Sequence, residues 1–439
     1  MQGEMGALHD LHSSTNGVHW AWSSNETEAG ARWDFSTNES TGLYLYDPCG
    51  GSSNLAWQGV TCLNGSTIDK LDLVEFNLSG TLPHSIDQLS NLSSINFLGN
   101  IYLTGTIPMQ IGNLQYLSML DFDVCGLSGP LPSSITKLMN LREIGLRENA
   151  ITGSIPSNIG ELTSLDFINF SENYMTGTLP HSLSKLTLVE IFGLDYNFFT
   201  GTIPSEIGNM ANIEVLGVSN CDLHGPIPGE LAKLSNVRYW YLQSNELSGT
   251  VPPELGRLTQ LLQFYLVNNK LSGRVPSELG GLVNVRDLYM DDNEFTGPLP
   301  VGLLHGFSAL EVLRFQRNRL TGDLAGRFLG SYLALKNVDF SDNMLSGSIP
   351  SDLFESAPNL LTVALTQNCF DGSLPQGVCS ARNISVLSLD GLGAAEHCKN
   401  AIKMPLTGVT LDNALYGTIP DCVWKLRELQ VLHLTGNGK

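Results

Sequence analysis

The sequence contains few charged residues, and most of them are acidic. Only 15% of the 439 residues are Asp, Glu, Lys or Arg, and 42% are hydrophobic. Disordered chains combine high charge with few apolar residues, so this composition predicts a folded chain with enough apolar surface for a core. There are 23 basic against 43 acidic side chains, which gives a formal net charge of -20. A field of that sign repels nucleic acids and anionic lipid headgroups and favours cationic or neutral partners.

Long hydrophobic runs are also missing. No stretch reaches the roughly 18 continuous apolar residues that are needed to cross a bilayer. The first residues, MQGEMG, lack a basic segment followed by an apolar run of about 7 to 15 residues. The sequence therefore predicts no membrane span and no signal peptide within this chain.

Cysteine is sparse, with eight residues in the chain, but six of the eight are clustered. One pair brackets a short N-terminal segment, and four more crowd the C-terminal part. Clustering of this kind favours disulfides, whose connectivity in the C-terminal group the sequence leaves open. The clustered residues are Cys49, Cys62, Cys369, Cys379, Cys398 and Cys422.

Asn-x-Ser/Thr sequons support the same compartment as the disulfides. Each would accept a glycan in a secretory compartment, where disulfides also persist. We therefore expect an extracellular or cell-surface location. The candidate glycosylation sites are Asn25, Asn38, Asn64, Asn77, Asn91, Asn169 and Asn383.

Catalytic and metal-binding patterns are scarce. His9, His12 and His19 form the only histidine group, and neither a carboxylate nor a cysteine joins them at a metal-ligand spacing, so a solvated surface is the better interpretation. No nucleophile stands with a base and an orienting group, and the kinase signatures are absent. We predict no enzyme activity, cofactor or metal in this chain, although a kinase domain outside it stays compatible with the sequence.

A short motif, Gly-x-Leu/Ile/Val-Pro, recurs along almost the whole chain. Its spacing is 24 or 25 residues almost throughout, and a degenerate copy at Gly322 lacks the proline. Periods of 20 to 50 residues are typical of solenoids. The glycines of the motif are Gly80, Gly105, Gly129, Gly153, Gly177, Gly201, Gly225, Gly249, Gly273, Gly297, Gly347, Gly372 and Gly417.

Upstream of each glycine runs the pattern L-x-x-L-x-L-x-x-N-x-L, which is the leucine-rich-repeat signature. In one copy, Ile144 and Leu146 should point inward from a short strand, while residues 143, 145, 147 and 148 face solvent. The predicted fold class is an α/β repeat solenoid. It is a leucine-rich-repeat right-handed superhelix with a parallel β-sheet on the concave face and short 3-10 or extended segments on the convex side.

An asparagine ladder follows the strands. A buried side-chain amide at this position can satisfy backbone groups of the turn that would otherwise lack partners. Cys125 and Cys221 occupy the same column, and we interpret them as reduced, buried substitutes. The ladder asparagines are Asn149, Asn173, Asn197, Asn245, Asn269, Asn293, Asn318, Asn343 and Asn368.

With these coils and its tryptophan-rich start, the sequence resembles the extracellular domains of plant-type receptor-like kinases, receptor-like proteins and polygalacturonase-inhibiting proteins. Residues 7–11 through Cys62 look like the N-terminal cap of that family, in which Cys49 and Cys62 would pair. The sequence of residues 14–20, STNGVHW, is closer to the corresponding segment of bacterial and protist members, which suggests an algal or protist source. The resemblance implies binding of peptides, co-receptors or wall-degrading enzymes.

The domain organisation follows from the period. Residues 1–66 should form the cap, 67–390 the repeats, 391–412 an inserted island loop, and 413–439 the final repeats without a C-terminal cap. The glycines Gly372 and Gly417 are 45 residues apart, which is one repeat plus an insertion. The island is either a ligand-contacting insertion or a surface loop stapled by disulfides such as Cys379 with Cys422 and Cys369 with Cys398. Because the chain ends inside a repeat, we expect the natural protein to continue.

One solvent-facing column, eight residues before each glycine, carries three successive tyrosines. Tyr241, Tyr265 and Tyr289 should stand about one strand spacing apart, which predicts an aromatic ridge suited to a peptide or sugar. Alternatively, tyrosine is simply a good strand residue that packs across the sheet with no ligand. The predicted ligand-binding residues are Tyr239, Tyr241, Gln263, Tyr265, Asp287, Tyr289, Asp291, Asp292, Arg314, Gln316 and Arg317.

The sequence thus predicts a protein-, peptide- or glycan-binding domain, most simply the recognition ectodomain of a cell-surface receptor-like protein in signalling or defence, with a co-receptor as a further partner. The alternative is a secreted inhibitor or cell-wall matrix protein that binds a glycan hydrolase or polysaccharide. A structural, ice-contacting or mineral-contacting protein would need a regular Thr or Asp array on the convex side, which is not seen. A glycan on Asn169 would obstruct the N-terminal part of the concave face and leave the tyrosines open.

Overall fold

The computed structural model describes residues 2–25, 29–50, 55–389 and 417–434. The chain divides into two compact units, Met1–Asp222 and Leu223–Lys439. Both units are built from the same coil, in which a short strand is followed by the ladder residue, a second short strand, a proline turn and a 3-10 turn.

The coil that contains Asn149 shows how the sequence forms these elements. In strand Glu143–Gly145 the side chain of Ile144 is fully buried, and so is that of Leu146 just after it, as the alternation predicts. The second strand, Ala150–Gly153, ends at a glycine with a φ of 73°, a left-handed conformation that glycine adopts without a Cβ clash. The following proline segment leads to the 3-10 turn Ile159–Glu161.

In the first unit, the first strands of the coils form one sheet, and the second strands form another. The first sheet opens with an antiparallel pair, Val60–Leu63 against Thr67–Asp72, and continues in parallel register. Its further strands are Ser94–Asn96, Met119–Asp121, Glu143–Gly145, Phe167–Asn169, Ile191–Gly193 and Val215–Gly217. The strands of the second sheet are Ser79–Thr81, Tyr102–Gly105, Gly126–Pro130, Ala150–Gly153, Tyr174–Thr178 and Phe198–Thr200.

The second unit repeats this arrangement with parallel strands throughout. The strands of its first sheet are Tyr239–Tyr241, Gln263–Tyr265, Asp287–Tyr289, Val312–Arg314, Asn337–Asp339, Thr362–Ala364, Val386–Ser388 and Val431–His433. The strands of its second sheet are His224–Gly225, Glu246–Gly249, Lys270–Gly273, Glu294–Gly297, Arg319–Gly322, Met344–Ser348 and Cys369–Asp371. In each unit we call the solvent-facing side of the first sheet the open face.

Single 3-10 turns occupy the other side of most coils, and an α-helix, Ser351–Ser356, takes the place of one. The parallel sheet and the 3-10 segments confirm the predicted leucine-rich-repeat fold, whereas the second row of strands was not predicted. The 3-10 turns are Gly17–His19, His84–Gln88, Met109–Asn113, Ser133–Lys137, Ile159–Glu161, His181–Lys185, Ser205–Asn209, Gly229–Lys233, Pro253–Arg257, Ser277–Gly281, Leu304–Gly306, Gln376–Ser380 and Val423–Lys425.

The asparagine ladder joins neighbouring coils through the backbone. Asn173 Nδ2 donates hydrogen bonds to the carbonyl oxygens of Leu146, at 2.7 Å, and Phe170, at 3.1 Å. Its Oδ1 accepts a hydrogen bond of 2.9 Å from the backbone N–H of Ile151. One side chain thus satisfies backbone groups of its own coil and of the preceding one, which otherwise would be buried without partners.

Cys125 and Cys221 lie at ladder positions, where both are free and buried. Burial raises the pKa of each thiol to about 12, so both stay protonated and unreactive at neutral pH. The prediction that they are reduced, buried substitutes for the ladder asparagine is confirmed.

The N-terminal segment packs as an aromatic cluster beside the α-helix Gln2–Ser14. Trp20 Nε1 donates to the carbonyl oxygen of Thr15 at 3.0 Å, and Trp33 Nε1 donates to that of Gln58 at 2.8 Å. His12 lies against the rings of this cluster, and burial lowers its pKa. His12 is therefore half-buried, whereas the sequence predicts a solvated surface for it.

Two disulfides are described, and both join the clustered cysteines. Cys49 pairs with Cys62, as the family resemblance implied, and Cys379 pairs with Cys422. Cys369 is also disulfide-bonded. Its suggested partner Cys398 and the predicted island 391–412 lie outside the described residues. Strand Val386–Ser388 pairs directly with Val431–His433, so the long interval in the repeat falls between two neighbouring strands.

Two kinds of feature are absent from the described part of the chain. It contains no helix that is long and apolar enough to span a membrane. It also contains no group of three or more His, Cys, Asp or Glu side chains that could hold a metal ion.

Candidate ligand-binding surface

The open face of the second unit brings the three tyrosines of the predicted column into register. Tyr241 pairs with Tyr265 and Tyr265 with Tyr289 across parallel strands, and Arg314 continues the column. The residue before each tyrosine is apolar and fully buried, so the strand alternation turns the tyrosines to the open face. We call Tyr241, Tyr265 and Tyr289 the tyrosine ridge.

The rings of the tyrosine ridge contact one another in series. Tyr265 and Tyr289 stack with centroids 4.4 Å apart and planes at 5°, and Tyr241 is tilted against Tyr265 at 5.3 Å. The guanidinium carbon of Arg314 lies 4.7 Å from the ring centroid of Tyr289, a cation–π distance. All three rings are half-buried, so the ridge offers apolar edges and hydroxyl groups together.

A hydrogen-bonded row runs beside the tyrosine ridge in the adjacent column of the same strands. Tyr241 Oη donates to Gln263 Oε1 at 2.7 Å, and Gln263 Nε2 donates to Asp287 Oδ2 at 2.7 Å. Burial, with the Asp287 carboxylate nearby, raises the pKa of Tyr265 well above its usual value. The Tyr265 hydroxyl therefore stays protonated at neutral pH and can donate as well as accept. Tyr239, half-buried, begins this column.

On the other side of the ridge, Asp291 and Gln316 lie below the surface. Asp291 is only 4% exposed, and its Oδ2 accepts a 2.9 Å hydrogen bond from Gln316 Nε2. Burial raises the pKa of Asp291 to about 6. Asp291 Oδ1 and Gln316 Oε1 are buried with no hydrogen-bond partner in the described structure. The sequence predicts both residues as surface contacts, whereas in the structure they are buried and form the polar floor of the open face.

Asp292 and Arg317 form an ion pair at the margin of the open face, in which Nε and Nη2 of Arg317 donate to the two carboxylate oxygens. This pairing neutralises Arg317 and leaves Arg314, which is exposed, as the cation above the tyrosine ridge. The structure thus brings the predicted ligand-binding residues together at the open face of the second unit, with Asp291 and Gln316 buried beneath its surface. Their role in binding stays a prediction.

The open face of the first unit carries carboxylates that sequence reasoning missed. A Cβ at Gly145 would lie 2.9 Å from Asp123 Oδ1 and 3.0 Å from Asp121 Oδ1, and a Cβ at Gly217 would overlap the carboxylate of Asp195. Gly145, which the sequence predicts to face solvent, and Gly217 are therefore buried under side chains of the preceding coil. Burial raises the pKa of Asp123 to about 6 and also raises that of Asp195. The signal in the sequence was the glycine at a position where other coils carry side chains.

The predicted glycosylation sites differ in accessibility. Asn169 lies on the open face of the first unit, where it is half-buried and its Oδ1 accepts a hydrogen bond from the N–H of Ser171 at 3.2 Å. The other six sequon asparagines, which are exposed, are Asn25, Asn38, Asn64, Asn77, Asn91 and Asn383. Exposure makes these six the accessible acceptors, and glycosylation itself stays a prediction.

Comparisons with known proteins agree with this architecture. The sequence model of the family described as Leucine Rich Repeat matches residues 334–355. A curated relative, Protein MALE DISCOVERER 2 of Arabidopsis thaliana, is 39% identical over 61 residues, which cover 14% of this chain and 9% of the relative.

Similar solved structures include two plant receptors and a bacterial protein. A plant peptide hormone receptor, RGFR1 in complex with RGF2, has a TM-score of 0.57 at 27% identity, with 82% of this chain and 65% of that chain covered. A TDR receptor gives 0.57 at 30% identity, covering 73% and 63%. The Leptospira interrogans protein LIC12759 gives 0.62 at 26% identity, covering 83% of both chains. The chain thus spans just under two thirds of the two receptor structures and about a tenth of the curated relative.

Proposed function

We propose that this chain, a leucine-rich-repeat solenoid with plant-type repeats, binds an extended peptide segment across the open face of its second unit. The tyrosine ridge is the observation that carries the proposal. It presents three rings in series with Arg314 at one end and the hydrogen-bonded row of Gln263 and Asp287 alongside. Apolar rings bordered by donors and acceptors are what an extended polypeptide needs, since it has side chains and backbone groups to satisfy.

The dimensions of the ridge match a short stretch of extended chain. Neighbouring strands lie about 4.8 Å apart, so three tyrosines span roughly 10 Å, while an extended peptide rises about 3.3 Å per residue. A segment of about four residues would cross all three rings. Tyrosine is enriched in binding hot spots because it supplies a large contact area at a low cost in conformational entropy.

The similar structures support a ligand-binding role. RGFR1 is a plant peptide hormone receptor whose structure is known in complex with RGF2. The present chain shares the repeat fold of RGFR1 over 82% of its own length. We therefore propose that the second unit acts as the recognition part of a cell-surface receptor-like protein. A full-length transcript that encodes a membrane span after the solenoid would support this role. If the natural protein is instead secreted and inhibits a glycan hydrolase, the receptor role is overturned and the protein is an inhibitor.

The binding proposal is tested by selecting a random 12-residue peptide library on the immobilised protein. Enriched peptides are then measured by calorimetry against the wild type and against a variant carrying Tyr241→Ser, Tyr265→Ser and Tyr289→Ser. The matched control carries Tyr102→Ser and Tyr116→Ser, which remove exposed tyrosines of the first unit. Circular dichroism and thermal melts establish that each variant is folded.

We expect the ridge variant to bind the selected peptides at least about 100-fold more weakly, because hot-spot residues contribute about 2 kcal/mol or more each and about 1.4 kcal/mol corresponds to a factor of ten. The control variant should bind like the wild type. Undiminished binding by a folded ridge variant would refute the proposed site.

A further inference from the structure

A second surface, in the first unit, is unlike its counterparts in other coils. A depression of about 540 Å³ lies beside the ladder residues Asn149, Asn173 and Asn197 of three successive coils. Its rings are those of Tyr174, Tyr196 and Phe198. We call this surface the aromatic depression. The residues that line it are Glu148, Asn149, Glu172, Asn173, Tyr174, Tyr196, Asn197, Phe198 and Asn220.

The rings of the aromatic depression are exposed to solvent. Tyr174 is 55% exposed, Tyr196 58% and Phe198 48%, and Tyr174 and Phe198 stack with centroids 6.1 Å apart and planes at 13°. Isolated surface rings are ordinary, but a contiguous set of large apolar groups marks an interaction site. Nothing in the described structure covers them.

Repeat packing does not require rings at these positions. Tyr174 and Phe198 directly follow their ladder asparagines, and the same position in later coils holds Glu246, Lys270 and Glu294. Those coils form the same second strand with charged side chains. The rings are therefore dispensable for the coil, and their grouping in two neighbouring coils calls for another explanation.

Tyr196 adds a backbone argument. Its φ is 55°, in the left-handed region that is unfavourable for a bulky side chain. Corresponding residues in other coils adopt the same conformation with smaller side chains, most of them polar, such as Ser244 and Asn268, and in one coil Val124. The coil geometry imposes this conformation, so a smaller or more polar side chain than tyrosine would be expected there if packing alone mattered.

The charge of the aromatic depression is negative. Glu148 and Glu172 belong to its lining, which contains neither lysine nor arginine. Arg147 approaches from outside and donates to Glu172 Oε1 at 2.6 Å, but it lies 3.9 Å from Glu148 Oε2. One guanidinium thus faces two carboxylates, and the exposed Glu148 has the more distant contact of the two. A carboxylate beside exposed aromatic faces is complementary to a cation.

We propose that the aromatic depression binds a lysine or arginine side chain presented by a partner protein. The cation would lie against the ring faces and the carboxylate of Glu148, while its aliphatic stem covers the remaining ring surface. The net charge of -20 favours the approach of such a basic segment over long range. The site belongs to the first unit and does not depend on the tyrosine ridge, so either proposal can fail alone.

The test uses the whole chain labelled with 3-fluorotyrosine and observed by ¹⁹F NMR. Resonances of Tyr174 and Tyr196 are assigned from Tyr174→Phe and Tyr196→Phe, and Tyr102, exposed elsewhere on the first unit, is the internal control. The probes are acetyl-arginine amide, acetyl-lysine amide and acetyl-citrulline amide. Citrulline has nearly the shape of arginine without its charge, so it separates cation recognition from general stacking.

We expect the cationic probes to shift the Tyr174 and Tyr196 resonances in a saturable way, with no change at Tyr102 and a much smaller response to the citrulline probe. The substitution Glu148→Gln should lower the affinity for the cationic probes by about 2- to 5-fold, and Phe198→Ser should do the same. Cation–π contacts at exposed sites contribute about 0.5–1 kcal/mol, which corresponds to that range. Equal responses to arginine and citrulline would overturn the proposal in favour of a neutral ligand. The absence of any saturable shift with the cationic probes would overturn it outright.

Discussion

Burial controls the protonation of individual carboxyl groups on the open face of the second unit. Asp291 is 4% exposed, and one of its oxygens has no hydrogen-bond partner in the described structure. Its pKa in the folded state, raised by burial to about 6, lies above the ordinary value near 3.9. The folded state thus holds this proton more tightly, so the stabilisation is present at low pH and is lost as the pH rises through 6.

The substitution Asp291→Asn should therefore stabilise the protein at pH 7.5. We expect a gain of about 1–2 kcal/mol in the free energy of unfolding, because the buried charge is removed while the acceptor for Gln316 is kept. At pH 4.5, where Asp291 is protonated in the folded state, the gain should shrink towards zero. Urea denaturation at the two pH values measures the difference, and a gain that is independent of pH would contradict the assignment.

The side chain of Asp195 leaves no room for a side chain at Gly217. Asp195 Oδ1 accepts hydrogen bonds from the N–H and Oγ of Ser219 at 2.7 and 2.6 Å. A Cβ at Gly217 would overlap the Asp195 carboxylate. We expect Gly217→Ala to cost about 1–3 kcal/mol of stability.

The matched experiment is a double-mutant cycle with Asp195→Ala, which removes the overlapping group. In that background Gly217→Ala should cost less than half as much, since the clash has gone. Equal costs in both backgrounds would show that the glycine is required for another reason.

The sequence carried these residue-scale features only faintly. The tyrosine column was visible because strand alternation determines which side chains share a face. The position of the Asp195 side chain over Gly217 could not be predicted, because the rotamer of Asp195 depends on contacts between coils. The left-handed backbone at Tyr196 was also hidden, since tyrosine does not favour this conformation and the coil imposes it.

At the scale of elements, hydrogen bonds between coils determine the structure. The ladder was predictable because one residue type recurs at one period and has a single physical use. The second row of strands, such as Glu246–Gly249 paired with Lys270–Gly273, was not. Its segments are short and largely polar, so they show no hydrophobic alternation, and they become strands only when neighbouring coils align their backbones.

Removing a ladder amide should be costly. Asn293 Nδ2 donates to the carbonyl oxygen of Leu266 at 2.9 Å, and its Oδ1 accepts from the N–H of Leu271 at 3.0 Å. The substitution Asn293→Ala leaves these buried groups unsatisfied, and we expect a loss of about 2–4 kcal/mol.

The control for the ladder is Asn284→Ala, which removes an exposed 2.8 Å hydrogen bond to Thr259 and should cost less than about 1 kcal/mol. Chemical denaturation compares the two variants with the wild type. If they lost stability to the same extent, the ladder would not have the role assigned to it.

At the scale of the whole molecule, the same coil supports different surfaces in the two units. The first unit has carboxylates folded over glycines on its open face and the aromatic depression beside its ladder, whereas the second has the tyrosine ridge. Periodicity alone predicted the repeat fold and the register of the ridge. The aromatic depression went unpredicted because its rings lie outside the solvent-facing strand column on which the sequence argument relied.

The central claim is that a peptide binds along the tyrosine ridge, and photo-crosslinking tests it most directly. A peptide selected from the random library is synthesised with a benzophenone group, irradiated with the protein, and the crosslinked residues are identified by mass spectrometry. We predict crosslinks on strands Tyr239–Tyr241, Gln263–Tyr265 and Asp287–Tyr289, and their suppression by excess unlabelled peptide. Saturable crosslinks confined to the 3-10 turns, such as Pro253–Arg257, with the ridge unmodified, would contradict the account.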